Sequence, residues 1–236
     1  MVWSMGSVWD KEWSKVDTNY AQRSSFTRNA YNVFNTWVSN GNVLEVGAGT
    51  GRFCIRMKQS GRNVFAIDNS KESLKLIKNR GIFLAYGDMF NLPFNDESFD
   101  FVFNEGVIEH YTNPEDAVKE MLRITKRGGT VAVAVPNIWC IPHTIYKKIV
   151  GRNYEYGYEK SFTSGELKQI FIELGMKDIE VSGFDPVHGI TRLSGRFPLF
   201  LIFHIFRPIV SVLDFCTRGF ISRLFGFEIA IKGVKP

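Results

Sequence analysis

An apolar run that stops on glycine and then repeats glycine at every second position leaves a chain few options. Here it is Val43-Leu44-Glu45-Val46-Gly47-Ala48-Gly49-Thr50-Gly51. Its first half reads as a buried strand, and the residues after Gly51 open a helix. Each glycine removes a Cβ, permits positive φ and lets backbone amides approach a ligand at the helix N-terminus. In a doubly wound sheet this turn sits at the carboxyl end of the first strand, where ligands bind. The competing explanation is a tight strand–helix turn with no ligand.

The two common phosphate-binding patterns do not fit. The dinucleotide fingerprint needs Gly or Ala at its sixth position, and the two registers place Arg52 or Cys54 there. No Lys-Ser or Lys-Thr pair follows the glycines, so the triphosphate loop is missing too. The turn therefore suits a ligand other than a pyrophosphate or triphosphate.

From Val43 to Pro136 short β-branched or aromatic runs alternate with helical stretches. The runs are Val43–Gly47, Val64–Asp68, Leu84–Gly87, Phe99–Asn104 and Thr130–Pro136; the helices are Gly51–Gln59, Lys71–Asn79 and Asn113–Lys126. In the last of these Asn113 is placed to cap, Pro114 suits the first turn, and Gly128-Gly129 supplies the stop. Such alternation predicts a parallel sheet with helices on both faces. Further on, Thr163 and Glu166 form a capping-box pattern opening a helix that Gly175 closes. Lys177–Gly183 and Phe227–Val234 read as two more strands.

The organisation expected is an N-terminal helical arm over residues 1–40 and one domain over 41–236. That domain carries insertions at about 137–161 and 184–226. Three scattered cysteines and the lack of a basic-then-apolar leader suit a reducing cytoplasm. The net charge of +5 is concentrated: from Pro186 to Phe227 five arginines (Arg192, Arg196, Arg207, Arg218, Arg223) face the single acid Asp214. The same stretch is the most apolar of the chain. Its Phe197–Phe206 run is broken by Arg207-Pro208, too short a span for a bilayer. Residues 197–213 are thus a lid, a dimer interface or a peripheral membrane contact.

Glu45-x-Gly47-x-Gly49-x-Gly51 resembles the first motif of the class I S-adenosylmethionine-dependent methyltransferases. Three further places carry the resemblance, which spans about residues 40 to 183 and, more loosely, the final strand. Asp68 ends the second strand about twenty residues beyond the first glycine, where a carboxylate can accept from both ribose hydroxyls. Gly87-Asp88-Met89 resembles the family's adenine-edge acid, with Met89 or Phe90 packed on the ring. Leu92-Pro93-Phe94 through Phe99-Asp100, continuing into Phe101–His110, is similar to the type 11 branch.

The resemblance implies an α/β fold: a doubly wound, mostly parallel seven-stranded sheet, Rossmann-like, with the last strand antiparallel. It implies S-adenosyl-L-methionine as cofactor, contacted by Glu45, Gly47, Ala48, Gly49, Gly51, Asp68, Asn69, Asp88, Met89, Phe90, Asn104, Glu105 and Gly106. Tyr20 and Arg23 of the arm would cover the methionine end. Alternatively the aromatics Trp3, Trp9 and Trp13 only dock the arm on the core.

Methyl transfer is an in-line attack on a sulfonium-bound carbon, so the enzyme supplies alignment and at most a base. His110, after the fourth strand, is the expected base, with Glu109 and Glu105 as weaker candidates. A locally packed histidine is the alternative. His143, His188 and His204 show no ligand spacing, and no metal is expected. The acceptor expected is a small molecule or a lipid-like one. Nucleic acid is disfavoured because Asn104-Glu105-Gly106-Val107 stands where base-modifying relatives carry a Pro-Pro-aromatic grip. A non-catalytic binding module is the third reading, and the oligomeric state is open.

Overall fold

The seven strands are β1 (Asn42–Val46), β2 (Asn63–Asp68), β3 (Phe83–Tyr86), β4 (Phe99–Glu105), β5 (Thr125–Pro136), β6 (Lys177–Phe184) and β7 (Glu228–Val234). In the computed structural model they form one sheet of order β3-β2-β1-β4-β5-β7-β6. Neighbours from β3 to β5 are parallel, and β7 runs antiparallel to both β5 and β6. The structure describes all residues except 1–4, 17–20, 22, 39, 152–153, 155, 187, 189–199 and 218, and only the backbone of 5–8 and 200–207.

Side-chain alternation along the strands divides the core in two. Val43, Phe101, Phe103, Ala132 and Ala134 face one layer, which holds Phe34 of α2 (Ser25–Trp37) and Phe53 of α3 (Arg52–Gln59). Leu44, Val46, Val102, Val131 and Val133 face the other. There they meet Val118 and Met121 of α5 (Pro114–Ile124) and Leu167 and Phe171 of α7 (Ser164–Glu173). Between α3 and α5 in the chain lies α4 (Lys71–Ile77), which follows β2. This is the three-layer arrangement that strand–helix alternation predicts.

Two local expectations are corrected. Asn113 stands at the N-cap of α5, but its amide Nδ2 donates to Asp116 Oδ2 at 2.9 Å and its side chain caps no backbone N–H. The helix ends at Ile124, earlier than Gly128-Gly129 suggested. Thr125 already pairs with Phe99 across the sheet, and Gly128 N–H donates to Lys235 C=O, so Lys126 and Arg127 belong to β5. Thr163 and Glu166 do form the capping box of α7, and Gly175 follows at φ +75°.

The arm contributes α1 (Met5–Trp13), whose Asp10 carboxylate accepts from Ser70 Oγ and from Glu72 N–H. A negative charge at the N-terminus of α4 is favourable against the helix dipole. Between β5 and α7 the chain forms α6 (Ile141–Val150). Beyond β6 it forms α8 (Phe200–Cys216), and then α9 (Phe220–Phe225) leads into β7. The Arg207-Pro208 pair does not interrupt α8, which runs through Pro208. No helix among the described residues is long and apolar enough to cross a membrane. Arg192, Arg196, Arg218 and the apolar residues Phe197 to Leu199 lie outside the described residues.

Candidate active site

The turn after β1 adopts the conformation its glycines allow: Gly47, Gly49 and Gly51 have φ of +75°, +51° and +71°. Gly47 N–H donates to Ile67 C=O at 2.8 Å, and Gly49 N–H to Asp68 Oδ2 at 2.8 Å. Ser73 Oγ donates to Gly49 C=O at 2.7 Å, so the middle glycine is held on both of its polar groups. Asp68 Oδ1 accepts a second amide, Ser70 N–H, at 2.8 Å. Burial nevertheless raises the Asp68 pKa above the ordinary aspartate range.

This turn borders a cavity of about 520 Å³ at the carboxyl ends of the parallel strands. That is within the ~300–1,000 Å³ common for small-ligand sites. Of the residues expected at a cofactor, Glu45, Gly47, Ala48, Gly49, Asp68, Asn69, Met89, Glu105 and Gly106 line it. Others do not. Gly51 sits at the left-handed N-cap of α3, where a Cβ would stand 2.7 Å from Ile77 Cγ1. Asp88 is exposed, and its carboxylate accepts Phe90 N–H at 3.0 Å. Phe90 packs edge-on against Tyr111. Strand alternation turns Asn104 away from the cavity, and its Nδ2 lies 3.2 Å from Met121 Sδ. Arg23 is exposed and absent from the wall, and Tyr20 lies outside the described residues.

The cavity wall also takes in the 3₁₀ turn Ile108–His110, which buries Glu109 and His110 together. His110 Nδ1 lies 2.8 Å from the Tyr158 carbonyl, which can only accept, so Nδ1 carries the hydrogen and Nε2 keeps its lone pair. Burial lowers the His110 pKa below the usual imidazole value. Lys160 N–H donates to Glu109 C=O at 2.9 Å, tying the 137–161 segment to the same turn. Tyr156 and Glu159 from that segment line the wall, as does His188 from the second insertion. Trp9 and Trp13 of α1 close it: the two rings stack at 5.6 Å, and Trp9 meets the His110 ring edge-on at 5.0 Å.

Six carboxylates line this cavity, and they differ in partners. Glu45 accepts Cys54 N–H at 2.8 Å, and burial pushes its pKa up to about 8. Glu105 is ion-paired to Arg52. For Glu159 burial opposes ionisation, but hydrogen bonds from His143 and Tyr154 and the charge of Lys147 outweigh it and bring the pKa to about 2. Glu109 and Glu228 each bury an Oε2 with no hydrogen-bond partner, and burial raises both well above the ordinary glutamate range.

Sequence reasoning placed Glu109 only among the weaker base candidates and passed over Glu159, Glu228 and Arg52. Glu228 did leave a trace, as the one acid of the last strand, set between Phe227 and Ile229. Among the described residues no cluster of His, Cys, Asp or Glu is arranged to hold a metal ion.

Comparison with known proteins gives this cavity a context. Residues 44–133 match a methyltransferase domain family. An uncharacterized protein of Methanocaldococcus jannaschii is 27% identical over 176 residues, 75% of this chain and 84% of that protein. The demethylmenaquinone methyltransferase of Renibacterium salmoninarum is 42% identical over 94 residues, 39% of this chain. That match spans 40% of the relative's own length. A crystal structure of an S-adenosylmethionine-dependent methyltransferase from Thermotoga maritima shares the fold. It has a TM-score of 0.74 at 21% identity, over 98% of this chain and all of that one.

Proposed function

We propose that this chain is a class I S-adenosylmethionine-dependent methyltransferase of the type 11 branch and that it methylates a small-molecule or lipid-like acceptor. The observation that carries the reading is one continuous cavity lined by the glycine turn, Asp68 and His110. S-adenosylmethionine, when bound, supplies an electrophilic methyl group on sulfur.

The residues present fit that group. An ionised carboxylate offers about four acceptor positions, and Asp68 spends two on Gly49 and Ser70 amides, leaving capacity for two ribose hydroxyls. Met89 and Ile67 provide apolar wall for an adenine, and the glycine turn borders the cavity beneath the Trp13 ring, whose Cζ2 would lie 3.1 Å from a Cβ on Gly49. Gly51, Asp88 and Phe90 act by shaping the loops around that wall, and Asn104 by packing β4 against Met121. His110, with Nε2 unprotonated at neutral pH, serves as base for an acceptor proton. The exposed side chains Ile209, Val212, Leu213 and Phe215 on α8 support a lipid-like acceptor or a membrane surface nearby.

Calorimetric titration with S-adenosylmethionine and S-adenosylhomocysteine tests the reading. Saturable binding at one site per chain is expected, and a folded protein that binds neither would sink it.

A further inference from the structure

The acceptor end of the cavity is separable from the cofactor end. Asp68 closes β2 and Glu228 opens β7, and the sheet order puts four strand spacings between them. At ~4.8 Å per spacing that is roughly 19 Å, enough for two ligands side by side. The far compartment has an unusual lining for a buried place. Glu109 and Glu228 enter it from the 3₁₀ turn and from β7, 2% and 3% exposed, each with an unpartnered Oε2. Trp9, stacked on Tyr156 at 6.3 Å and edge-on to His110, supplies aromatic surface beside them. The nearby cations form their ion pairs elsewhere, Arg52 with Glu105 and Lys147 with Glu159, and reach Glu228 and Glu109 only through their charge.

Each of these desolvated carboxyls leaves one oxygen unpartnered, Glu228 sharing its other contact with Glu105, and that is costly unless a ligand compensates it. An anionic acceptor would add to that cost, and a neutral hydroxyl could satisfy an oxygen but not a buried charge. A cation removes that cost, and an aromatic ring face adds attraction for the same charge.

We propose that the acceptor is an amine, bound as its ammonium ion between Glu109 and Glu228 against the Trp9 and Tyr156 rings. This rests on the methyltransferase reading and narrows it to nitrogen. The ammonium gives one proton to His110 Nε2, which becomes imidazolium. The freed lone pair on nitrogen forms the new N–C bond as the S–C bond breaks, its electron pair remaining on sulfur. The product is a methylammonium ion, still facing the two carboxylates.

The test uses the full chain saturated with S-adenosylhomocysteine and follows tryptophan fluorescence and heat. Tetramethylammonium chloride is the probe, tert-butanol its neutral counterpart of similar size, and sodium chloride the ionic-strength control. Saturable binding of tetramethylammonium alone is expected. Glu109→Gln and Glu228→Gln should each weaken it about tenfold or more, with S-adenosylhomocysteine affinity within about twofold of the wild type. Trp9→Phe should retain most of the binding and Trp9→Leu lose it. Equal binding of tert-butanol, or indifference to both glutamine variants, would overturn the amine assignment while leaving methyl transfer intact. Failure of S-adenosylhomocysteine to bind the wild type would instead overturn the methyltransferase reading, and this inference with it. Transfer of labelled methyl to primary amines but not to the matched alcohols is the second expected result; the reverse preference would refute it.

Discussion

The carboxylate of Asp68 accepts Gly49 N–H at 2.8 Å, joining the end of β2 to the turn that leaves β1. One oxygen thus fixes the glycine turn while the other holds Ser70 N–H at the start of α4. Asp68→Ala orphans two buried amides, each costing about 1–3 kcal/mol. S-adenosylhomocysteine affinity should fall about tenfold to a hundredfold, with a lower unfolding temperature. Asp68→Asn keeps one amide acceptor and should lie between. Calorimetry on the three proteins checks the order, and equal affinities would remove Asp68 from the site.

Gly51 should behave differently from Gly47 or Gly49. It lies outside the cavity wall, at φ +71°, with Ile77 where its Cβ would go. Gly51→Ala meets left-handed strain of about 1–2 kcal/mol plus the clash. The expected result is a thermal unfolding midpoint lower by several degrees, with cofactor affinity changed less than in Gly49→Ala. The reverse ranking would mean that Gly51 faces the ligand after all.

Why some of this was legible and some not follows from range. The glycine turn and Asp68 are local: a strand that ends in glycine and a strand that ends in an acid need no knowledge of their neighbours. The fold followed from periodicity, as did the antiparallel last strand from the family resemblance. The end of α5 was misread because Lys126-Arg127-Gly128-Gly129 looks like a helix stop, whereas pairing of Thr125 with Phe99 starts a strand there first. The part of the cavity lined by Glu109, Glu159 and Glu228 was mostly illegible. Glu109, Glu159 and Glu228 come from three distant segments, and only the sheet order brings their carboxyls to one wall.

The two helix N-termini give a direct contrast. Thr163 accepts Glu166 N–H at 3.1 Å, and Glu166 returns a bond to Thr163 N–H at 2.8 Å. Asn113 makes no such backbone bond. Thr163→Ala should therefore cost about 1 kcal/mol, while Asn113→Ala should stay within roughly 0.5 kcal/mol. Urea unfolding of both variants settles it, and a larger loss at Asn113 would contradict the observed cap geometry.

His110 makes a prediction in pH. Its folded pKa is lowered by burial, so the neutral, base-competent form is already dominant at neutral pH. The profile of kcat/KM should rise with pH through a value below the usual imidazole range and then level. His110→Gln should lose about a hundredfold or more in kcat and lose that limb of the profile. Near-normal turnover in the variant would leave His110 as a packing residue that also holds the Tyr158 carbonyl.

Glu45 predicts how stability itself responds to pH in the ligand-free chain. Its folded pKa, raised by burial to about 8, lies above the ordinary glutamate value of 4.5. Between those values the native state holds a proton that the unfolded state has released. Stability therefore falls as pH rises through this window, by up to ~1.4 kcal/mol per pH unit for the group. Glu109 and Glu228, also raised, push the same way. His110 opposes them: its folded pKa is depressed, so its contribution is present above the usual imidazole value and lost as pH falls. With Asp68 also raised, four carboxyls against one imidazole make the net slope downward from mildly acidic to mildly alkaline pH. Glu45→Gln keeps an oxygen for Cys54 N–H and removes the titration, so its stability should fall less steeply over the same range. Urea unfolding at several pH values between about 5 and 8 measures both slopes. Parallel slopes would show that Glu45 stays ionised in the fold, and the burial argument would then fail at this residue.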